Sequence, residues 1–232
     1  TVTVTGNLTL GNDVNNGNIT MGTLAVDGWI AITTSGSSSA VTVANDVGLI
    51  LATSNMGGTF SGEADSGDIT QVDDTSLTIG AAATFIIADG SNIALDKSGN
   101  TFSAGVTMKV GDGTSGSFGN ITFEEGAAVK LDSDVDEDGD LYLNAGNDLS
   151  VGGNLSITAG AGNITQGAAV TVAGTSSFET STSGADIALS SENAFAQKVT
   201  LTTFGAGGDA TLDNGTTALI IAASDVRGDL TL

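Results

Sequence analysis

The densest group of reactive side chains in this sequence is acidic. Asp132, Asp134, Asp136, Glu137, Asp138 and Asp140 put six carboxylates into nine residues. Residues 134 to 139 read D-x-D-x-D-G, the opening of a calcium loop. In such a loop alternate Asp side chains converge on one cation and Gly permits the sharp turn. Carboxylates this close repel one another unless a cation sits among them. The twelfth loop position is Ala145, where a bidentate Glu is the usual ligand, and no helical pattern flanks the run. The expected Ca2+ site uses Asp132, Asp134, Asp136, Asp138 and Asp140, completed by backbone carbonyls or a neighbouring segment. The competing reading is a solvated acidic corner.

The rest of the composition narrows the chemistry. The chain has 232 residues, with 5 Lys+Arg against 27 Asp+Glu, a net charge of −22, and no His, Cys or Pro. Without Cys there is no disulfide framework, thiol nucleophile or thiolate metal site. Without His the commonest general base and transition-metal ligand are missing. The charge disfavours nucleic acid and anionic membranes. The longest apolar stretches, 80–88 and 218–223, are too short to span a bilayer, so no membrane insertion is expected.

Two further sets of residues invite a chemical reading. Paired carboxylates occur at Asp73-Asp74 and Glu124-Glu125, but adjacent residues on a strand point to opposite sides. The cations Lys97, Lys109, Lys130, Lys198 and Arg227 are scattered along the chain. A carbohydrate-active enzyme is therefore the second alternative, and the main expectation is a chain without catalytic residues. Asn-x-Ser/Thr occurs at Asn7, Asn18, Asn120, Asn154, Asn163 and Asn214. Gly precedes five of these Asn residues, and Asp replaces Asn in Gly67-Asp68-Ile69-Thr70 and Gly228-Asp229-Leu230-Thr231. That pattern is a corner followed by a strand, rather than a set of glycan acceptors.

The elements that carry these residues are strands. Amphipathic helical windows are absent, and period-two runs dominate, such as Ile30-Ala31-Ile32-Thr33, Val41-Thr42-Val43 and Val170-Thr171-Val172. Gly, Asn, Asp or Ser bounds each run, as tight corners require. The Gly-Asn/Asp-aliphatic-Thr motif recurs along the chain. The pairs Gly119/Gly139 and Gly208/Gly228 share one spacing, which falls in the range of solenoid repeats. A longer repeat relates residues 69–158 to 164–232. Ile69-Thr70-Gln71 matches Ile164-Thr165-Gln166, Asn100-Thr101-Phe102 matches Asn193-Ala194-Phe195, and Val106-Thr107-Met108 matches Val199-Thr200-Leu201.

Short strands with Gly/Asn corners and a repeat of about 20 residues describe one coil of a parallel β-solenoid. The expected fold is all-β: a right-handed parallel β-helix forming one domain over 1–232, with about 20 residues per coil and roughly 11 to 12 coils. Aliphatic residues face inward, Thr, Ser and Asp outward. Phe102 and Phe195, at matching repeat positions, are expected to stack in the core. Trp29 and Tyr142 alternate with aliphatic residues and are expected to face outward.

The run Ile164-Thr165-Gln166, Val170-Thr171-Val172-Ala173-Gly174-Thr175, Asp186-Ile187-Ala188-Leu189, Asn193-Ala194-Phe195 and Val199-Thr200-Leu201 resembles the repeats of filamentous-haemagglutinin-like exoproteins. These are large bacterial surface adhesins, often secreted by the two-partner route. The resemblance implies a right-handed β-helix and an extracellular or cell-surface location. It carries no functional residues over. The expectation is an extracellular structural or adhesive rod, with Ca2+ as its one candidate stabilising ligand. Its partners would be itself, by end-to-end or lateral stacking, or a host or cell-surface glycan or protein. Thr1 and Leu232 each fall inside strand-like runs, so a segment of a longer repeat protein is expected. The first alternative is a self-assembling filament or surface-layer subunit.

Overall fold

The computed structural model describes residues 1–110, 118–125, 129–132, 140–143 and 149–232. Among these there is no helix, and every strand pairing is parallel. The chain is a β-solenoid of about nine turns. Parallel strands cannot be joined by tight hairpins. Here the chain returns to the same sheet by travelling once around the coil.

Two long faces run the length of the solenoid. Face one holds twelve strands, from Val2–Val4 through Ile19–Val26, Ala40–Asn45, Thr59–Ala64, Ala83–Ile87 and Val106–Val110 to Leu230–Thr231. Face two holds Leu8–Asn12, Trp29–Thr34, Leu49–Leu51, Ile69–Gln71, Ile93–Leu95, Ile121–Glu125, Leu155–Ala159, Ser176–Ser183, Lys198–Phe204 and Ile220–Ile221. A narrow third side is made by Ser54–Met56, Leu77–Ile79 and Thr101–Phe102 in one half. In the other half it is made by Leu149–Val151, Val170–Val172 and Ala194–Phe195. Stacking follows chain order with one exception on face one. There Asp140–Leu143 lies between Val106–Val110 and Val129–Asp132, so the later strand precedes the earlier one.

Most steps are longer than the 20 residues that the motif spacing suggests, and the ten strands of face two count nine turns against the expected 11 to 12. Phe60 pairs Ala83, Ala83 pairs Val106 and Ile164 pairs Ile187. The same step stacks Asn163 under Asp186 on their corner, 23 residues apart. The Gly208/Gly228 spacing is a true turn, since Ala210 pairs Leu230. Gly119/Gly139 is not: Ile121 sits on face two and Leu141 on face one. Recurrence of a corner motif marks corners, and this coil has more than one corner per turn.

The two long repeats are related by an exchange of faces. In the first, the Ile-Thr-Gln strand Ile69–Gln71 lies on face two and the longer Thr59–Ala64 on face one. In the second, Ile164–Gln166 lies on face one and Leu155–Ala159 on face two. The third side moves with them. It follows face two in the first half and face one in the second. Equivalent residues of the two repeats therefore look out from opposite sides of the rod.

Alternation explains the core. Ile30, Leu51, Ile69, Ile93, Ile121, Leu155 and Val199 are at most 1 % exposed, while their strand neighbours face out. Each such side chain contributes about 2 kcal/mol by leaving water. Phenylalanines brace the interior across faces. Phe60 and Phe85 have centroids 5.4 Å apart, Phe85 and Phe102 6.3 Å, and Phe102 and Phe123 5.5 Å. Phe195, the repeat partner of Phe102, packs on Phe178 at 5.7 Å. Both expected core aromatics are thus buried and stacked. Trp29 is part-exposed beside buried Ile30, as alternation requires. The side chain of Tyr142 lies outside the described set.

Candidate functional site

The acidic run falls mostly outside the described residues. Asp134, Asp136 and Asp138 lie there entirely. Asp132 ends the strand Val129–Asp132 and Asp140 opens Asp140–Leu143, which are paired neighbours, and their side chains are likewise outside the described set. Among the described residues no group of three or more Asp, Glu, His or Cys is placed to hold a metal ion.

The Gly-Asn/Asp motif has a clear structural use. Along two corners its side-chain oxygen accepts a hydrogen bond from a backbone N–H one turn further on. On the corner before face two, Asp68 Oδ1 accepts from Asn92 N at 2.7 Å, Asn92 from Asn120 N at 2.6 Å, Asn120 from Asn154 N at 2.9 Å and Asn154 from Thr175 N at 2.8 Å. On the corner before face one in the second half, Asn163 accepts from Asp186, Asp186 from Asp209 and Asp209 from Asp229, at 2.8 to 2.9 Å. Corners cannot continue the sheet ladder, and these carbonyl and carboxylate oxygens satisfy donors that would otherwise be orphaned. Gly precedes because the turns approach closely: a Cβ on Gly119 would meet Gly90 O at 2.6 Å. The sixth sequon residue, Asn214, is only 6 % exposed and accepts from Phe195 N while donating to Phe195 O and Thr217 O. The corner reading of the Asn-x-Ser/Thr motifs is thereby accounted for.

A second device lies inside the coil. Asn100 and Gln71 exchange two side-chain hydrogen bonds at 2.8 and 2.9 Å, and Asn100 Oδ1 also accepts from Leu77 N at 2.9 Å. The second repeat builds the same pair from Gln166 and Asn193, with Asn193 Oδ1 accepting from Val170 N at 2.8 Å. Asn100 is fully buried and Gln71 is 7 % exposed. Buried amides of this kind are costly unless paired, and these are paired reciprocally.

On the outside, ionisable groups gather at a groove of 510 Å3 lined by Asp74, Thr75, Ser76, Asp96, Lys97, Ser98, Gly99 and Glu124. Lys97 Nζ bridges Asp96 at 2.9 Å and Asp73, one turn away, at 3.0 Å. Hydrogen bonds to Asp96 and then Asp73 raise its pKa. It therefore stays an ammonium and is no base or nucleophile at neutral pH. Burial raises the Glu124 carboxyl, with repulsion from Asp96 and Glu179 adding to it and Lys97 opposing it. The carboxylate that acts on it most, Asp96, is held by Lys97. The arrangement works as an electrostatic strap between turns, worth about 0.5 kcal/mol for exposed pairs. In the sequence Asp73, Lys97 and Glu124 stand apart. Only the turn length brings them together.

Corner ladders, inward aliphatics and corner residues stacked 23 residues apart define a parallel β-solenoid repeat protein. Residues 38–109 and 126–202 match the family model "Repeats of unknown function (DUF5649)". The two matches span well over half the chain, which belongs to that repeat family. No curated protein and no solved structure matches it.

Proposed function

We propose that this chain is a rod segment of a bacterial extracellular or cell-surface protein, with a structural and adhesive role. The observation that carries the reading is that polar side chains are used between turns. The Asn/Asp corner ladders, both Gln–Asn pairs and the Lys97 strap each tie one turn to another. A scaffold is built this way, with side chains spent on stacking rather than on a shared reaction centre. The acidic exterior suits an extracellular setting, as does the resemblance to filamentous-haemagglutinin-like repeats. Ca2+ bound at Asp132 to Asp140 would add a lock.

Nine steps on face two and eleven on face one, at about 4.8 Å each, give a rod of about 45 to 55 Å. Small-angle scattering of the isolated chain at low concentration is expected to give an elongated profile of that length. A compact isotropic particle would refute the rod.

A further inference from the structure

Seven of the eight phenylalanines are buried, and the eighth, Phe204, is 59 % exposed. It ends the strand Lys198–Phe204, directly after Thr203, which is buried at 2 %. The repeat does not require it. The offset that matches Val106-Thr107-Met108 to Val199-Thr200-Leu201 sets Gly111 against Phe204. The ring is an addition of the second repeat, in a position where the first carries no side chain.

Its surroundings form a concave site. An open groove of 440 Å3 is lined by Phe204, Gly205, Ala206 and Arg227. The corner that follows the ring is Gly205-Ala206-Gly207, with φ of +70° and +86° at the two glycines. These conformations suit Gly and leave only small groups beside the ring. The Arg227 guanidinium, on the same groove, donates to Asp225 Oδ2, and both side chains remain more than half exposed. The pair is held in place by the core. Arg227 N donates to Thr203 Oγ1 at 2.9 Å, Thr203 N donates to Asp225 O at 3.0 Å, and Thr203 Oγ1 donates to Gly208 O at 2.8 Å. Thr203 thus ties the aromatic ring and the charged pair to one buried anchor.

We infer that this site binds a neutral saccharide, with the Phe204 ring against the apolar C–H face of a sugar and the Arg227–Asp225 pair on its hydroxyls. The chemistry decides the class. The ring offers a flat apolar platform, and the pair offers fixed donors beside a carboxylate acceptor, which vicinal hydroxyls satisfy together. The open groove leaves room for a sugar ring against Phe204. Arg227 alone would also attract an anion, but the chain's net charge of −22 repels acidic polymers. A neutral glycan meets no such barrier. The inference supplies a ligand class for the adhesive part of the proposed function and is independent of the rod.

The test is saturation-transfer NMR on the full chain with lactose, cellobiose, maltose and N,N′-diacetylchitobiose as probes. At least one is expected to receive saturation. Phe204→Ala should weaken that binding by about tenfold, Phe204→Trp should keep it, and Arg227→Ala should weaken it with the ring still in place. All three changes are at exposed side chains, and unchanged melting would show that the fold persists. Transfer to none of the four probes, or transfer undiminished in Phe204→Ala, overturns the site. Self-association lost in Phe204→Ala without any saccharide signal would also overturn it, assigning the patch to a second copy of this chain. In each of those cases a scattering length of about 45 to 55 Å would leave the rod itself standing.

Discussion

Glu124 shows how an exterior side chain on a stacked sheet senses its neighbours above and below. Burial is the first cause of its raised pKa, followed by repulsion from Asp96 and Glu179. Because the folded-state pKa is above that of the unfolded chain, the folded protein binds this proton more tightly. The associated stability is fully present below the ordinary carboxylate range and is lost as pH rises through the raised value. Glu124→Gln is therefore expected to raise the melting midpoint at pH 8 and to change it less at pH 4. The side chain is only part-buried, so solvent screening keeps the gain to a few tenths of a kcal/mol. An equal shift at both pH values would mean that packing, not charge, separates the two variants. The corner residues show what is legible at this scale. Gly followed by Asn or Asp announces a corner by residue type alone. That the Asn or Asp side chain serves the next turn's N–H depends on a contact 20 to 34 residues away, and no local pattern encodes it.

At the level of elements, the internal Gln–Asn pairs set the third side. Asn100 faces the interior between Leu95 and Phe102, and its amide replaces a ladder bond for Leu77 N–H, 23 residues back. Asn100→Leu would keep the volume but strand both the Gln71 amide and that N–H in the core. The expected cost is about 3 kcal/mol, since each abandoned buried group carries its own desolvation penalty. Adding Gln71→Met removes one of the two orphans and should return about 1 kcal/mol, a coupling that a double-mutant cycle measures. Hydrogen exchange at the Leu77 amide should accelerate in both variants. Protection unchanged at Leu77 would show that the bond does not hold this side closed. Strand existence and inward alternation are readable from sequence because each depends on a few adjacent residues. The pairing of Gln71 with Asn100 is not, although Ile-Thr-Gln and Asn-x-Phe recur together in both repeats and mark the two partners. Turn length misleads for a related reason. The strands that follow the motifs at Gly119 and Gly139 lie on different faces, Ile121 on face two and Leu141 on face one, so the spacing measures no turn.

Across the whole molecule, electrostatics opposes the same stacking that the core favours. Turns lie about 4.8 Å apart, well inside the Debye length of about 10 Å at 0.1 M salt. Like charges therefore meet between turns. Asp186, Asp209 and Asp229 occupy successive positions of one corner ladder, and Asp209 and Asp229 each donate a backbone N–H to the carboxylate one turn earlier. With 27 acids against 5 bases, added sodium chloride should raise the melting midpoint progressively and without saturation. Calcium separates into two behaviours. Screening alone makes it act like sodium at equal ionic strength. A site at Asp132, Asp134, Asp136, Asp138 and Asp140 instead adds a saturable shift, because a ligand that binds only the folded state stabilises by RT ln(1 + [L]/Kd), about 2.7 kcal/mol at a hundredfold excess over Kd. The expected outcome is a Ca2+ increment above the sodium baseline that vanishes in the double variant Asp134→Asn, Asp136→Asn. If the wild type shows the sodium baseline alone, those carboxylates are a solvated corner, and what holds the rod together against its own charge is the core and the hydrogen-bonded backbone of the coil.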